Sequence, residues 1–150
     1  MIYGGGHWDT AVDADGNQVI VGGDANTSSL NMYNLNTGEK KMVAPEAYNR
    51  YRYHISGRNF DRPGWVYVST YDSDGDDVGG AVYRAYLHRE QFALKLDGSG
   101  TVERFAQLHG NYGQYRYDQQ PNGVPNNLGT RLYFTDTFGT TSDTSHVVVS

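Results

Sequence analysis

A short aromatic frame recurs along the chain. Tyr48 to His54 reads YNRYRYH and, 64 positions later, Tyr112 to Asp118 reads YGQYRYD, so a Y-x-x-Y-R-Y frame followed by a polar residue appears twice. Self-similarity at a spacing of this kind decides architecture before any strand is assigned, because each repeat is one supersecondary unit. After each copy comes a turn bearing Gly or Pro and then a β-branched and aromatic run, GWVYVSTYD from Gly64 and GTRLYFTDTF from Gly129, as the second strand of a hairpin reads. The start of the chain follows the same plan. His7 precedes the turn DADGN (Asp13 to Asn17) and the strand Val19 to Val21, and the His7 to Val19 interval equals the His54 to Val66 interval.

A second pair of strands is shared as well: LNMYNLNTGEKKMV from Leu30 resembles QFALKLDGSGTVERFA from Gln91, each with a turn between an apolar run and a polar edge. Four strands per unit, repeated in tandem, predict an all-β fold of the β-propeller type, in which blades stack because none buries both faces alone. The units fall at about 1–47, 48–111 and 112–150 within a single domain, the last lacking its final strand. An insert at 71–90 interrupts the second unit, and its tail AVYRAYLHRE is expected to make one or two helical turns. Three blades fall short of the four to eight that close a ring. The expectation is therefore either a piece of a longer propeller or a homo-oligomer in which copies share blades to complete a ring.

Composition agrees and excludes several classes. Nineteen glycines and 13 tyrosines suit short strands and tight turns. A formal charge of −5 argues against a sequence-independent nucleic-acid partner, which needs a basic footprint on phosphates. The absence of cysteine removes disulfides, thiolate metal sites and cysteine nucleophiles. No stretch approaches the ~18 apolar residues of a membrane span, and MIYGGGHWDT lacks the basic and apolar regions of a signal peptide. The expectation is a soluble chain with no membrane partner and an open compartment, a periplasmic or secreted parent included.

Strand alternation puts His7 and Asp9, then Arg52, His54 and Ser56, then Arg116, Asp118 and Gln120 on matching sides of the three first strands. If these are the innermost strands, imidazole, carboxylate and guanidinium groups converge on one ligand. His nitrogen with Asp or Gln oxygen suits a divalent metal, and Arg suits the carboxylate of an acidic sugar. The plainer reading is a hydrated polar channel, with Arg52 and Arg116 holding blades together. Trp8, Trp65 and the tyrosines of the repeat, Tyr117 among them, offer faces for sugar rings, or pack between blades. Asp72, Asp74 and Asp76, around Gly75, form part of a calcium-like loop without its closing glutamate. No nucleophile elbow, HExxH or P-loop occurs. The scattered Glu46, Glu90 and Glu103 leave a glycosidase pair open, since that depends on carboxyl separation in space.

The runs HISGRNFDRPGWVYVSTYD, EQFALKLDGSGTVERFA and GTRLYFTD resemble the tandem-blade propellers related to oligogalacturonate lyase and the TolB-like, PD40-type repeat proteins, over most of residues 48–136. The resemblance implies a manganese site of His and Gln ligands at the propeller centre and elimination across uronate residues. Carried over by position, it makes His7, His54 and Gln120 metal ligands, and places Arg52 or Arg58 near the uronate carboxylate. His54, Arg52, Arg58 and Asp118 are then the catalytic candidates, with Trp8, Asp9, Arg116 and Tyr117 binding the carbohydrate. The expected function is a carbohydrate-active protein that binds and cleaves a sugar polymer, as a uronate lyase or glycosidase. The alternative is a non-catalytic blade scaffold for protein interaction or assembly.

Overall fold

The computed structural model describes residues 7–24, 29–44, 52–71, 87–110, 120–139 and 145–150, Arg52 by its backbone alone. They form eleven strands: β1 Trp8–Val12, β2 Gln18–Asp24, β3 Ser29–Asn34, β4 Lys40–Ala44, β5 Arg52–Ser56, β6 Trp65–Tyr71, β7 Glu90–Lys95, β8 Val102–Gln107, β9 Val124–Pro125, β10 Leu132–Asp136 and β11 Ser145–Val149. Among the described residues there is no helix, hence none long and apolar enough to cross a membrane.

The strands make three antiparallel sheets with neighbours in chain order: β1-β2-β3-β4, β5-β6-β7-β8 and β9-β10-β11. Short polar side chains close the hairpins. Asp13 Oδ1 accepts the N–H groups of Asp15 and Asn17, Asn34 Oδ1 those of Asn36 and Thr37, Asp97 Oδ1 that of Ser99, and Asn126 Oδ1 those of Thr130 and Arg131. The first three are Asx turns and Asn126 closes a longer loop, so the Asp and Asn residues that precede glycines are spent on the backbone. The repeat extends to irregularities: β3–β4 slips register between Leu30 and Asn31, and β7–β8 between Gln91 and Phe92, the corresponding place in the two units.

The second sheet carries the fold because both its faces are covered. Val66, Val68, Phe92 and Leu94 join Ala11, Val19, Val21, Leu30, Met32 and Val43 of the first sheet in one apolar cluster. The alternate residues Tyr67, Tyr71 and Ala93 join Leu132 and Phe134 of the third sheet in another, with Trp65 and Phe105 packed against it. Strand β6 thus sends odd-numbered side chains one way and even-numbered ones the other, and almost all are buried. This explains WVYVSTY, a run apolar or small on both faces where a half-exposed strand would alternate.

Three expectations need correction. The equal intervals His7 to Val19 and His54 to Val66 do not mark equivalent facings: Val19 points forward to the second sheet, whereas Val66 points back to the first. The two β-hairpins differ by one residue in pairing, and a one-residue slip turns a side chain to the other face. The described end of the insert, Leu87 to Arg89, is a turn with φ of 64° at Leu87 and 52° at Arg89, values no α-helix contains, and Glu90 already opens β7. In the third unit the strand paired with β10 is the short β9, in the segment read as a connection; YGQYRYD lies outside the described residues.

Phe92 is fully buried between the first two sheets, whereas Phe60 is 66% exposed. Phe92→Ala should lower the unfolding free energy by about 3–5 kcal/mol, while Phe60→Ala stays within about 0.5 kcal/mol of the parent. Urea denaturation followed by tryptophan fluorescence measures both.

Candidate functional site

The first two sheets meet at their first strands, β1 against β5. On β5, Tyr53 and Ile55 turn toward the first sheet, so alternation turns His54 to the opposite face, beside its cross-strand partner Ser69. The His54 ring stacks on Tyr71, with centroids 5.2 Å apart and planes 17° from parallel. His7, just ahead of β1, brings its ring to 4.2 Å from that of His54 at a 60° tilt. Gln120, buried just ahead of β9, places Oε1 2.7 Å from His54 Nε2. A side chain from β5 and one from the segment leading into each of the other two sheets therefore meet at the His54 ring.

A polar bridge between the second and third sheets holds Gln120 there. The Gly123 N–H donates to Ser69 Oγ at 2.9 Å, and Ser69 Oγ donates to Gln91 Oε1 at 2.7 Å. Thr135 Oγ1 donates to the Gln120 carbonyl at 2.9 Å, tying the same segment to β10. Position 123 admits no side chain: a Cβ there would overlap Gln91 Oε1 and Ser69 Oγ. Ser69 and Gln91 are both fully buried, so their hydrogen bonds to each other and to the 120–123 segment are what make their burial tolerable.

Burial drives the His54 pKa down from 6.5 to about 4; the neighbouring His7 acts in the same direction, and the Gln120 hydrogen bond opposes both. The ring is therefore neutral near pH 7. With the proton on Nε2 it donates to Gln120 Oε1; with the proton on Nδ1, Nε2 presents a lone pair to a cation. So acidic an imidazolium makes a weak general base at neutral pH, and His54 is better suited to ligation than to proton abstraction.

Other candidates lie elsewhere or have other partners. Asp9 braces two sheets, its Oδ1 accepting the Thr10 N–H at 2.8 Å and its Oδ2 the Gly57 N–H at 3.0 Å. Trp8 pairs with Gly22 and lies flat over it, 5.7 Å from the Tyr33 ring, on the face of the first sheet turned away from the second. Arg58 is exposed in the connection beyond β5, and the backbone of Arg52 opens that strand opposite Tyr71. Asp118, Arg116, Tyr117, Asp72, Asp74 and Asp76 lie outside the described residues. Glu103 pairs with Arg62 at 2.6 Å and Glu90 with Arg104 at 3.2 Å.

No protein-family model, curated protein or solved structure matches the chain. The site is therefore judged on its own donors. Among the described residues no group of three or more His, Cys, Asp or Glu side chains could hold a metal. Two imidazoles and an amide oxygen remain, a set that fits a borderline divalent cation such as manganese, zinc or nickel, with water or ligand oxygens filling the other positions. It does not fit calcium, which takes six to eight oxygens. The 2.7 Å between Nε2 and Oε1 is a hydrogen-bond distance, and ligation at ~2.1 Å per bond asks the pair to open by a few tenths of an ångström.

Tyr71, Ser69, Gln91 and Gly123 are the participants that the repeat did not single out. Tyr71 was accessible to alternation, as the last residue of WVYVSTY on the His54 face. The other three act across sheets, which strand periodicity does not encode.

The unfolded chain takes up a proton at His54 from pH 6.5 downward and the folded protein only near pH 4. Stability should fall as pH drops through that window, by on the order of 1–2 kcal/mol after allowance for solvent reaching the ring, and level off below it. In His54→Phe this component should vanish. Urea unfolding at several pH values, with the His54 ring titration followed by NMR, measures it.

Proposed function

We propose that the three stacked sheets are blades of a β-propeller, and that their inner edge binds and cleaves a uronate-bearing sugar polymer with a divalent cation held by His7, His54 and Gln120. The observation that carries this reading is the meeting at His54 of a nitrogen or oxygen donor from β5 and from the segments leading into β1 and β9. Support for the blades comes from the chain-order pairing within each sheet and from forward-to-rear stacking of one sheet on the next. The likeness to the oligogalacturonate lyase and TolB-like propellers points to the same three residues.

The chemistry follows from the donors. A bound manganese ion supplies positive charge that acidifies the proton beside a uronate carboxylate. His7 and His54 serve as neutral nitrogen ligands, the state that burial enforces at His54. Gln120 contributes an oxygen whose position the Ser69–Gln91–Gly123 bridge sets. The exposed Arg58, just beyond β5, would attract the acidic polymer. Elimination then transfers the C5 proton to a solvent-borne base, its electron pair forms the C4–C5 double bond, and the C4–O bond breaks as that oxygen takes a proton from water.

One observation favours a second, non-catalytic reading: His54 and Gln120 already satisfy each other, as a structural polar contact would. Metal uptake separates the two. Manganese with uronate oligomers should give a rise in ultraviolet absorbance from the unsaturated product, abolished by chelator and reduced at least ~100-fold in His54→Ala. His7→Ala should weaken metal binding in calorimetry while leaving the melting temperature nearly unchanged. Neither metal uptake nor product across a panel of uronate oligomers would leave the scaffold reading in possession.

A further inference from the structure

The stacking of the sheets has a direction. The forward face of the first sheet, with Ala11, Val19 and Val21, lies on the rear face of the second, with Val66, Val68 and Phe92. The forward face of the second, with Tyr67, Tyr71 and Ala93, lies on the rear face of the third, with Leu132 and Phe134. Both internal interfaces therefore join forward to rear.

Among the described residues two faces are left without a facing sheet, one of each kind. Register places Trp8, Ile20, Tyr33 and Met42 together on the rear of the first sheet, since Trp8 pairs with Gly22, Ile20 with Tyr33, and Asn31 with both Gly22 and Met42. It places Val124, Tyr133 and Val148 together on the forward face of the third, since Tyr133 pairs with both others. These faces expose large apolar groups: Met42 is 55% exposed, Tyr133 44% and Val148 64%. Contiguous exposed apolar surface of this kind marks an interaction site.

Their charges do not oppose contact. On the rear face Lys40 pairs with Asp24, and on the forward face Tyr133 Oη bonds His146 Nδ1 with the two rings stacked.

We infer that a second copy of this chain covers these faces, the forward face of each copy's third sheet docking on the rear face of the other's first sheet. The contact continues the interface that the molecule already makes twice, and it is heterologous, so two copies that each span half a turn make it in both directions and close. Two copies bring six sheets, within the range of about four to eight that complete a propeller ring. A contact between like faces has no counterpart among the described sheets. The inference rests on the stacking of the sheets and is independent of the metal and of the sugar.

Sedimentation velocity of the 150-residue chain tests it, with the exposed positions Met42 and Val148 as the probes. The parent should sediment as a dimer. Met42→Asp and Val148→Asp should each raise the dimer dissociation constant on the order of a hundredfold, because either one buries a charge in both contacts. An equimolar mixture of the two variants should associate more tightly than either variant alone but less tightly than the parent, because the unaltered forward face of the Met42→Asp copy meets the unaltered rear face of the Val148→Asp copy while the other contact carries both charges. A monomeric parent overturns the inference. So does a dimer sensitive to only one substitution, the mark of like-face pairing, or a mixture that associates no more tightly than either variant alone. Unchanged circular dichroism of each variant shows that folding is not the cause. Failure here leaves the lyase assay untouched, and failure of that assay leaves this one untouched.

Discussion

The apolar contact that the sheet β5 to β8 makes on both of its faces organises the molecule. Val66, Val68, Phe92 and Leu94 bind it to the sheet before, and Tyr67, Tyr71 and Ala93 to the sheet after. A four-stranded sheet alone cannot remove both faces from water, and here neighbours do it by stacking. Among the described residues each neighbour has a facing sheet on one side, so the described core is two slabs with β5 to β8 between them. At ~25 cal/mol per Å² of apolar area these slabs are the main source of stability, and the hairpin caps act mostly to fix register.

The polar cluster is a by-product of that arrangement put to use. Stacked sheets bring their first strands together, and whatever those strands carry at the near edge is forced into proximity. Here it is His7, His54 and Gln120, held at 4.2 Å between rings and 2.7 Å between Nε2 and Oε1. The site also depends on apolar neighbours: Tyr71 backs the His54 ring and helps to keep water from it, which holds the imidazole neutral. Asp9, which reaches from β1 to the Gly57 N–H, locks the first two sheets at the place where the rings meet.

Much of this was legible in the chain itself, because it is periodic. The turns DADGN and LDGSG, the runs VYVSTY and LYFTD, and the likeness of the β3–β4 hairpin to β7–β8 are local patterns of strand and turn, and the sheets follow them. The equivalence of Val19 with Val66 was misleading for a physical reason: interval matching sees distance along the chain, but facing depends on how many residues the intervening hairpin pairs. The grouping of His7, His54 and Gln120 could be read from alternation and resemblance. The bridge through Ser69, Gln91 and Gly123 could not, since these residues are remote in sequence and belong to no shared motif.

That bridge gives one imidazole an unusual vantage. Gln120 reaches His54 only while the 120–123 segment is seated on Ser69, and the seat exists only while the third sheet lies on the second. Separation of the sheets would remove the amide partner and let water reach the ring, returning His54 to the proton affinity of an ordinary histidine. The protonation of a single side chain thus serves as an internal gauge of how tightly two β-sheets are joined.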